Sequence, residues 1–218
     1  MTNLKIQGAL RRASASALTG LAVVAAVAGL GACAPLLVGG AVVGTGMMAG
    51  DRRTSGAQVE DQSIELKAGS RVQAAIGERG HVNVSSYNRM VLITGEVPTE
   101  ADKQAVEQAL ARIENVRSVV NELAVMPVTS VSARSNDAYL TGQVKAAFVN
   151  DPGLQVNSIK VVTERSVVYL MGRVTEREAA LAAERARSVG GVTKVVRVFE
   201  VITEAELSNI QAATAPAK

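Results

Sequence analysis

Along this chain the hydrophobic period changes from helical spacing to alternation and back, and the same order of changes occurs twice. Apolar residues four apart in residues 62–77 (Val72, Ile76) and in 137–149 (Leu140, Val144, Phe148) predict two first helices. Alternating runs at 82–85 and 90–97, and again at 156–162 and 167–174, predict pairs of strands. A second helix follows each pair. Thr99 caps one whose Ala101, Ala105, Ala109 and Ile113 share a stripe, and Thr175 with Glu178 makes a capping box for the other. Valine-rich final strands run from Val116 and Val192, so each half reads αββαβ and the fold class is α+β.

The two halves also match residue by residue. Val91-Leu-Ile-Thr-Gly95-Glu-Val97 answers Val168-Tyr-Leu-Met-Gly172-Arg-Val174, and Val116, Val119, Val120 and Val125 answer Val192, Val195, Val196 and Val201 after one deletion. Upstream, Arg71–Ile76 is matched with Gln143–Phe148, an offset of 72 residues. Gly95 and Gly172 fall at equivalent strand ends, where a missing Cβ allows a bulge or a close approach.

Before the repeat the chain has a different character. Lys5, Arg11 and Arg12 precede an apolar stretch from Ala17 to Leu30, which is short for a bilayer span and reads as a cleaved export signal. Leu30-Gly-Ala-Cys33 resembles the bacterial lipobox, which implies diacylglyceryl transfer to Cys33, cleavage before it and acylation of the new amine. Cys33 is the only cysteine, so no intramolecular disulfide can form. Ala34 follows it, and lipoproteins of this kind without Asp at that position are sorted to the outer membrane. The Gly-rich stretch after Cys33 contains Gly44-Thr-Gly46-Met-Met-Ala49, which lacks the strand and helix that a dinucleotide site needs and reads as tether.

Composition narrows the function. The net charge of +3 comes from the signal segment: without residues 1–32, Lys+Arg falls from 23 to 20 against 20 Asp+Glu. A neutral body lacks the counterion-release drive of nucleic-acid binding, so no nucleic-acid partner is expected. No catalytic site is expected either. His81 is the only histidine and has no thiol to share a Cys/His metal cluster with, so it reads as a surface or edge residue and no metal or cofactor is predicted. Glu176 and Glu178 are explained by capping and the helix dipole, and Arg177, Arg185 and Arg187 by a solvated helix face.

The succession of helix, hairpin with a strand-end Gly-x-Val, helix and valine-rich strand resembles the BON domain. Two copies behind a lipobox resemble the dual-BON outer-membrane lipoproteins, over roughly residues 51–203, including Asp51-Arg-Arg-Thr-Ser-Gly56 and Gly172-Arg-Val-Thr-Glu-Arg-Glu178. This resemblance implies two tandem modules, each a small three-stranded mixed sheet with two helices, a periplasmic-face location, phospholipid association and a role in envelope integrity. The expected layout is a signal peptide (1–32), a lipidated flexible tether (33–60), BON domains at 61–127 and 136–203, a linker (128–135) and a C-terminal tail (204–218), disordered from Ala212 to Lys218.

On the second module's first helix, Leu140, Val144, Ala147 and Phe148 form the core stripe, while Tyr139, Gly142, Ala146 and Val149 form a second uncharged one. At the offset of 72, the first module places Lys67, Ser70, Ala74 and Gly77 there. A helix apolar on two sides buries the second against lipid or against the other module, and a tyrosine suits a membrane interface. The resemblance also points to this helix as the lipid-contacting one. Tyr139, Leu140, Gly142, Gln143, Lys145 and Ala146 are therefore the expected contacts with an anionic phospholipid membrane. The alternative is a scaffold that docks to an outer-membrane assembly or peptidoglycan-remodelling protein.

Overall fold

The computed structural model describes residues 50–214. The signal segment, Cys33, the tether as far as Ala49 and residues 215–218 lie outside the described residues. In the first module α1 (Ser55–Ile76) leads into β1 (His81–Tyr87), β2 (Met90–Val97), α2 (Glu100–Ala111), β3 (Ser118–Asn121) and β4 (Ala124–Val125). The second runs α3 (Val131–Val149), a 3₁₀ turn (Val156–Ser158), β5 (Ile159–Glu164), β6 (Val167–Val174), α4 (Glu176–Arg187) and β7 (Lys194–Val201). A last helix, α5, spans Glu204–Thr214.

In both modules the middle strand pairs antiparallel with its hairpin partner and parallel with the strand that follows the second helix. The expected α+β modules with mixed sheets are therefore present. One sheet has a broken edge: β3 and β4 share the same side of β2, and between them Leu123 drops into the core.

Each hairpin turns through two residues at positive φ, Asn88 and Arg89 in one and Arg165 and Ser166 in the other. Tight turns of this kind favour glycine or asparagine, and three of these four residues are neither. A buried carboxylate compensates. Asp61 on α1 accepts hydrogen bonds from the Asn88 and Arg89 amides at 2.8 and 2.7 Å, and Asp137 on α3 accepts from those of Arg165 and Ser166 at 2.8 and 2.7 Å.

This shared role fixes the true equivalence of the first helices. Asp61, Ile64, Ala68 and Val72 answer Asp137, Leu140, Val144 and Phe148, an offset of 76 rather than 72. The sequence match slipped by one helical turn because a stripe with period four reads equally well in either register. The residues that answer Tyr139, Gly142, Ala146 and Val149 are therefore Ser63, Leu66, Ser70 and Gln73.

Each module has its own core between sheet and helices, with Ile64, Ile93, Val106 and Leu110 central in one and Val144, Phe148, Leu170 and Ala182 in the other. A third core joins them. Tyr87, Leu92, Tyr169, Met171 and Val198 pack together from the sheet faces turned away from the helices, so the modules meet sheet to sheet. Central strands covered on both faces read as nearly continuous apolar runs, which is why Val91 to Val97 are all buried. The Tyr87 hydroxyl donates to the Ser158 carbonyl at 3.1 Å, and Asn88 Nδ2 donates to Glu200 Oε2 at 2.6 Å across the same seam. Burial pushes the Tyr87 phenol up to about 12, so it stays a neutral donor.

The strand-end glycines behave as expected. A Cβ on Gly95 would stand 2.0 Å from the His81 carbonyl oxygen, and one on Gly172 would stand 2.3 Å from that of Ser158.

Three helix limits differ from the sequence reading. Helix α1 begins at Ser55, where Thr54 Oγ1 accepts from the Ala57 amide, and α3 begins at Val131, where Ser130 Oγ accepts from that of Ala133. The expected C-terminal tail begins as a helix, Glu204–Thr214, because Thr203 and Glu206 make reciprocal side chain to backbone bonds and Leu207 is buried; it overlaps the stretch expected as disordered only at residues 212–214.

Candidate functional site

Helix α3 buries Asp137, Leu140, Val144 and Phe148. Its opposite side is open: Tyr139 is 64% and Val149 68% exposed, and Gly142, Gln143, Lys145 and Ala146 are exposed with them. The second stripe therefore does not pack on the first module, which meets the second through its sheet instead. Leu140 is the exception among the expected contacts. It is 2% exposed and faces Gly191, where its Cδ2 lies 3.0 Å from the position of a Cβ. Its place on the core stripe removes it from any surface contact.

The exposed side of α3 carries no acid, since the helix's only acidic residue, Asp137, is buried beneath the hairpin turn, and Lys145 is its one exposed charge, Arg134 being half-buried. Helix α1 also exposes apolar residues, Val59 and Leu66, but alongside Lys67 and Arg71 and with Glu60 and Glu65 on its flanks. The contrast between the two helices is thus smaller than the 72-residue offset implied. What remains particular to α3 is the aromatic ring of Tyr139 and the proximity of the chain's entry point.

That entry point is built from residues read as tether. Arg52 is buried, and its guanidinium donates to both carboxylate oxygens of Glu178 at 2.7 Å and to the Arg173 carbonyl at 2.9 Å. Glu178 Oε2 also accepts from the Thr175 amide at 3.0 Å, so one carboxylate completes the predicted capping box and anchors a residue more than a hundred positions away. Burial alone would raise the Glu178 carboxyl. The Arg52 guanidinium and the Thr175 amide outweigh it and hold the group below the ordinary glutamate value.

Arg53 turns the other way. It pairs with Asp51 and Asp61 and lies over the Tyr87 ring, 4.2 Å from its centroid. The start of the described chain is therefore tied to both modules at their seam. Gly50, Asp51 and Arg52 line a cleft of about 370 Å³ together with residues 152–155, which directly follow α3. The chain enters the folded body beside the C-terminal end of the exposed helix. Sequence reasoning missed this because an Asp-Arg-Arg-Thr run has the composition of a solvated linker, and its partner, Glu178, already had a sufficient role as a cap.

Among the described residues, no helix is long and apolar enough to cross a membrane. Cys33, the expected attachment point, lies outside them.

Comparison with known proteins agrees with this architecture. The model of the BON domain matches residues 61–127 and 136–203. Outer membrane lipoprotein DolP of Haemophilus influenzae is 37% identical over 172 residues, covering 78% of this chain and 89% of the relative. The 21 kDa hemolysin of Actinobacillus pleuropneumoniae is 30% identical over 154 residues, covering 70% and 79%. Osmotically-inducible protein Y of Escherichia coli is 27% identical over 145 residues, covering 63% and 70%. With two matched modules that share one topology and one aspartate-braced hairpin, this chain belongs to the BON-domain family.

Proposed function

We propose that the chain is an outer-membrane lipoprotein, anchored through acylated Cys33 on the periplasmic face, whose second BON domain binds phospholipid and supports envelope integrity as a binding protein rather than a catalyst. The observation that carries this reading is the exposed, acid-free side of α3, with Tyr139, Gly142, Gln143, Lys145, Ala146 and Val149, placed where the chain enters the folded body. A lipid anchor on Cys33 brings the folded body to the bilayer, to which α3 offers this side. The tyrosine offers an apolar ring and a hydroxyl that stays wet, and the small residues beside it let the helix lie shallowly at the interface. Lys145 adds about 1 kcal/mol of attraction to an anionic surface, so the preference for anionic lipid is modest.

The test uses a chain without residues 1–32 and with Cys33→Ser, co-sedimented with phosphatidylglycerol-containing and with phosphatidylcholine liposomes. Wild type sediments with the anionic vesicles, Tyr139→Glu loses at least most of that binding, and Leu66→Glu on the first module's helix retains it. Absence of wild-type binding, or equal loss in both variants, refutes the assignment to α3. Absence of binding also turns the reading toward docking on an outer-membrane or peptidoglycan-remodelling protein.

A further inference from the structure

At one end of the seam between the sheets, three residues that can ligate metal come together: His81, Glu96 and Glu164, each offering one ligand atom within 4.8 Å of the others. His81 and Glu96 are register partners across β1 and β2, so their side chains leave the same face of the sheet. Glu164 ends β5 and comes from the other module. Both glutamates are essentially buried, at 0% and 2% exposure.

The spacing is informative. His81 Nδ1 is buried without a hydrogen-bond partner and stands 3.6 Å from Glu96 Oε2, too far for a hydrogen bond. Two ligands held tetrahedrally at about 2.1 Å from one zinc ion stand about 3.4 Å apart. The separation fits two ligands of one ion better than a donor and an acceptor. Its neighbours fix the orientation: Arg165 Nη1 donates to Glu96 Oε1 at 3.1 Å, Thr129 N and Oγ1 donate to Glu96 Oε2 at 3.3 and 3.2 Å, and Asn83 Nδ2 donates to Glu164 Oε2 at 2.8 Å. Beside the trio is a cavity of about 260 Å³, lined by His81, Asn83, Arg134, Thr141, Thr163 and Glu164, with room for a water at a fourth coordination position.

The repeat provides an internal control. At the hairpin offset of 77, His81, Glu96 and Glu164 are answered by Ser158, Arg173 and Tyr87. There the seam closes with the Tyr87 hydroxyl on the Ser158 carbonyl and holds no comparable ligand set. One end of the pseudo-symmetric interface is sealed by a phenol; the other gathers an imidazole and two carboxylates. Burying two carboxylates with one direct ion-pair partner is costly, and a divalent cation offsets the excess charge.

We propose that His81 Nδ1, Glu96 and Glu164 form a binding site for a divalent transition ion of the zinc class, which ties the first module to the second. Softer Cys-rich chemistry is not needed, since imidazole and carboxylate oxygens suit this class.

The full-length protein in detergent, stripped with a chelator, is titrated with Zn²⁺ by calorimetry, with Mg²⁺ as control, while the imidazole ¹⁵N signals are followed by NMR. His81 is the chain's one histidine, so these signals report on the site alone. The expected result is saturable one-to-one zinc binding, a shift of Nδ1 and no response to Mg²⁺. His81→Gln and the near-isosteric Glu164→Gln each weaken binding by at least about tenfold. The proposal is overturned by absent saturation, by His81 signals that do not move, or by unchanged affinity in both variants, which would mean that Arg134 on the cavity wall meets the Glu164 charge. The wild-type NMR result decides even where a variant fails to fold.

Discussion

Replacing Arg52 with alanine should cost this protein far more than a residue read as tether would suggest. Both partners of the Arg52–Glu178 pair are 6% exposed at the side chain, so the substitution leaves a buried carboxylate without its cation. Breaking a buried pair by removing one partner costs about 3–5 kcal/mol. Glu178 keeps the Thr175 amide, which places the expected loss toward the lower end of that range. For a body of this size, each 1 kcal/mol moves Tm by about 2–4 °C, so Arg52→Ala should melt roughly 6–15 °C lower. Arg52→Met with Glu178→Met should recover much of this, since no charge is left unpaired. The pH dependence has a fixed sign. The folded Glu178 value is depressed, so the pair's contribution is present above the unfolded glutamate pKa of about 4.3 and is lost as pH falls through the lower folded value. The wild-type advantage over Arg52→Ala should hold at pH 7 and shrink below about pH 4. Differential scanning calorimetry of the three proteins at both pH values checks this. A drop under 2 °C at pH 7, or a double variant no better than the single one, would refute the claim that the chain's entry is locked to the second module.

The two hairpin aspartates should differ in rank. Asp61→Asn disturbs four hydrogen-bond donors, including the Ser86 hydroxyl and the Arg53 guanidinium, and Asp137→Asn disturbs two amides, so urea midpoints should fall more for the first. Because those bonds outweigh burial and hold the Asp61 carboxyl below its ordinary value, the penalty of Asp61→Asn should also fade as pH drops below about 4. Gly95→Ala combines a φ of +117° with a 2.0 Å clash against backbone, and should abolish cooperative unfolding or lower its midpoint severely. Tyr87→Phe removes the hydroxyl that meets the Ser158 carbonyl and the Arg173 amide, and should cost at least about 1 kcal/mol in chemical denaturation, with the fold intact by circular dichroism.

The elements were legible because each carries a local signature. The capping box at Thr175 and Glu178 is present, and the strand-end glycines are where the backbones approach most closely. A further Thr-x-x-Glu, at Thr203 and Glu206, is equally readable and marks the start of α5. The registers between elements were harder. A helix with apolar residues every fourth position cannot show from its own sequence which turn answers which, and only the carboxylates at Asp61 and Asp137, seen against the hairpin amides, settle the alignment. A buried aspartate reads in sequence as a polar break in the stripe, although it braces the turn on which the sheet depends.

What the sequence hid lies almost wholly between the modules. Leu92, Tyr169 and Met171 occupy the strand positions opposite the helix-facing ones, and a sheet with only two helices to cover one face has no use for them there. Their apolar character already required a second covering layer, which a duplicated module supplies in the form of its own copy. Once the two sheets share a core, equivalent positions of the repeat face each other across the seam and are free to diverge as sets. Tyr87, Ser158 and Arg173 make a closed hydrogen-bonded end, while His81, Glu96 and Glu164 gather an imidazole and two buried carboxylates. The same logic separates the outer faces. Leu66 and Gly142 occupy one position in the two first helices, and Ser63 and Tyr139 another, so each module meets its surroundings with different chemistry on the same scaffold. With the chain entry locked beside α3 by Arg52, the second module's version of that face lies beside the start of the described chain. Divergence between the copies, rather than the fold they share, is what the proposed lipid contact on α3 rests on.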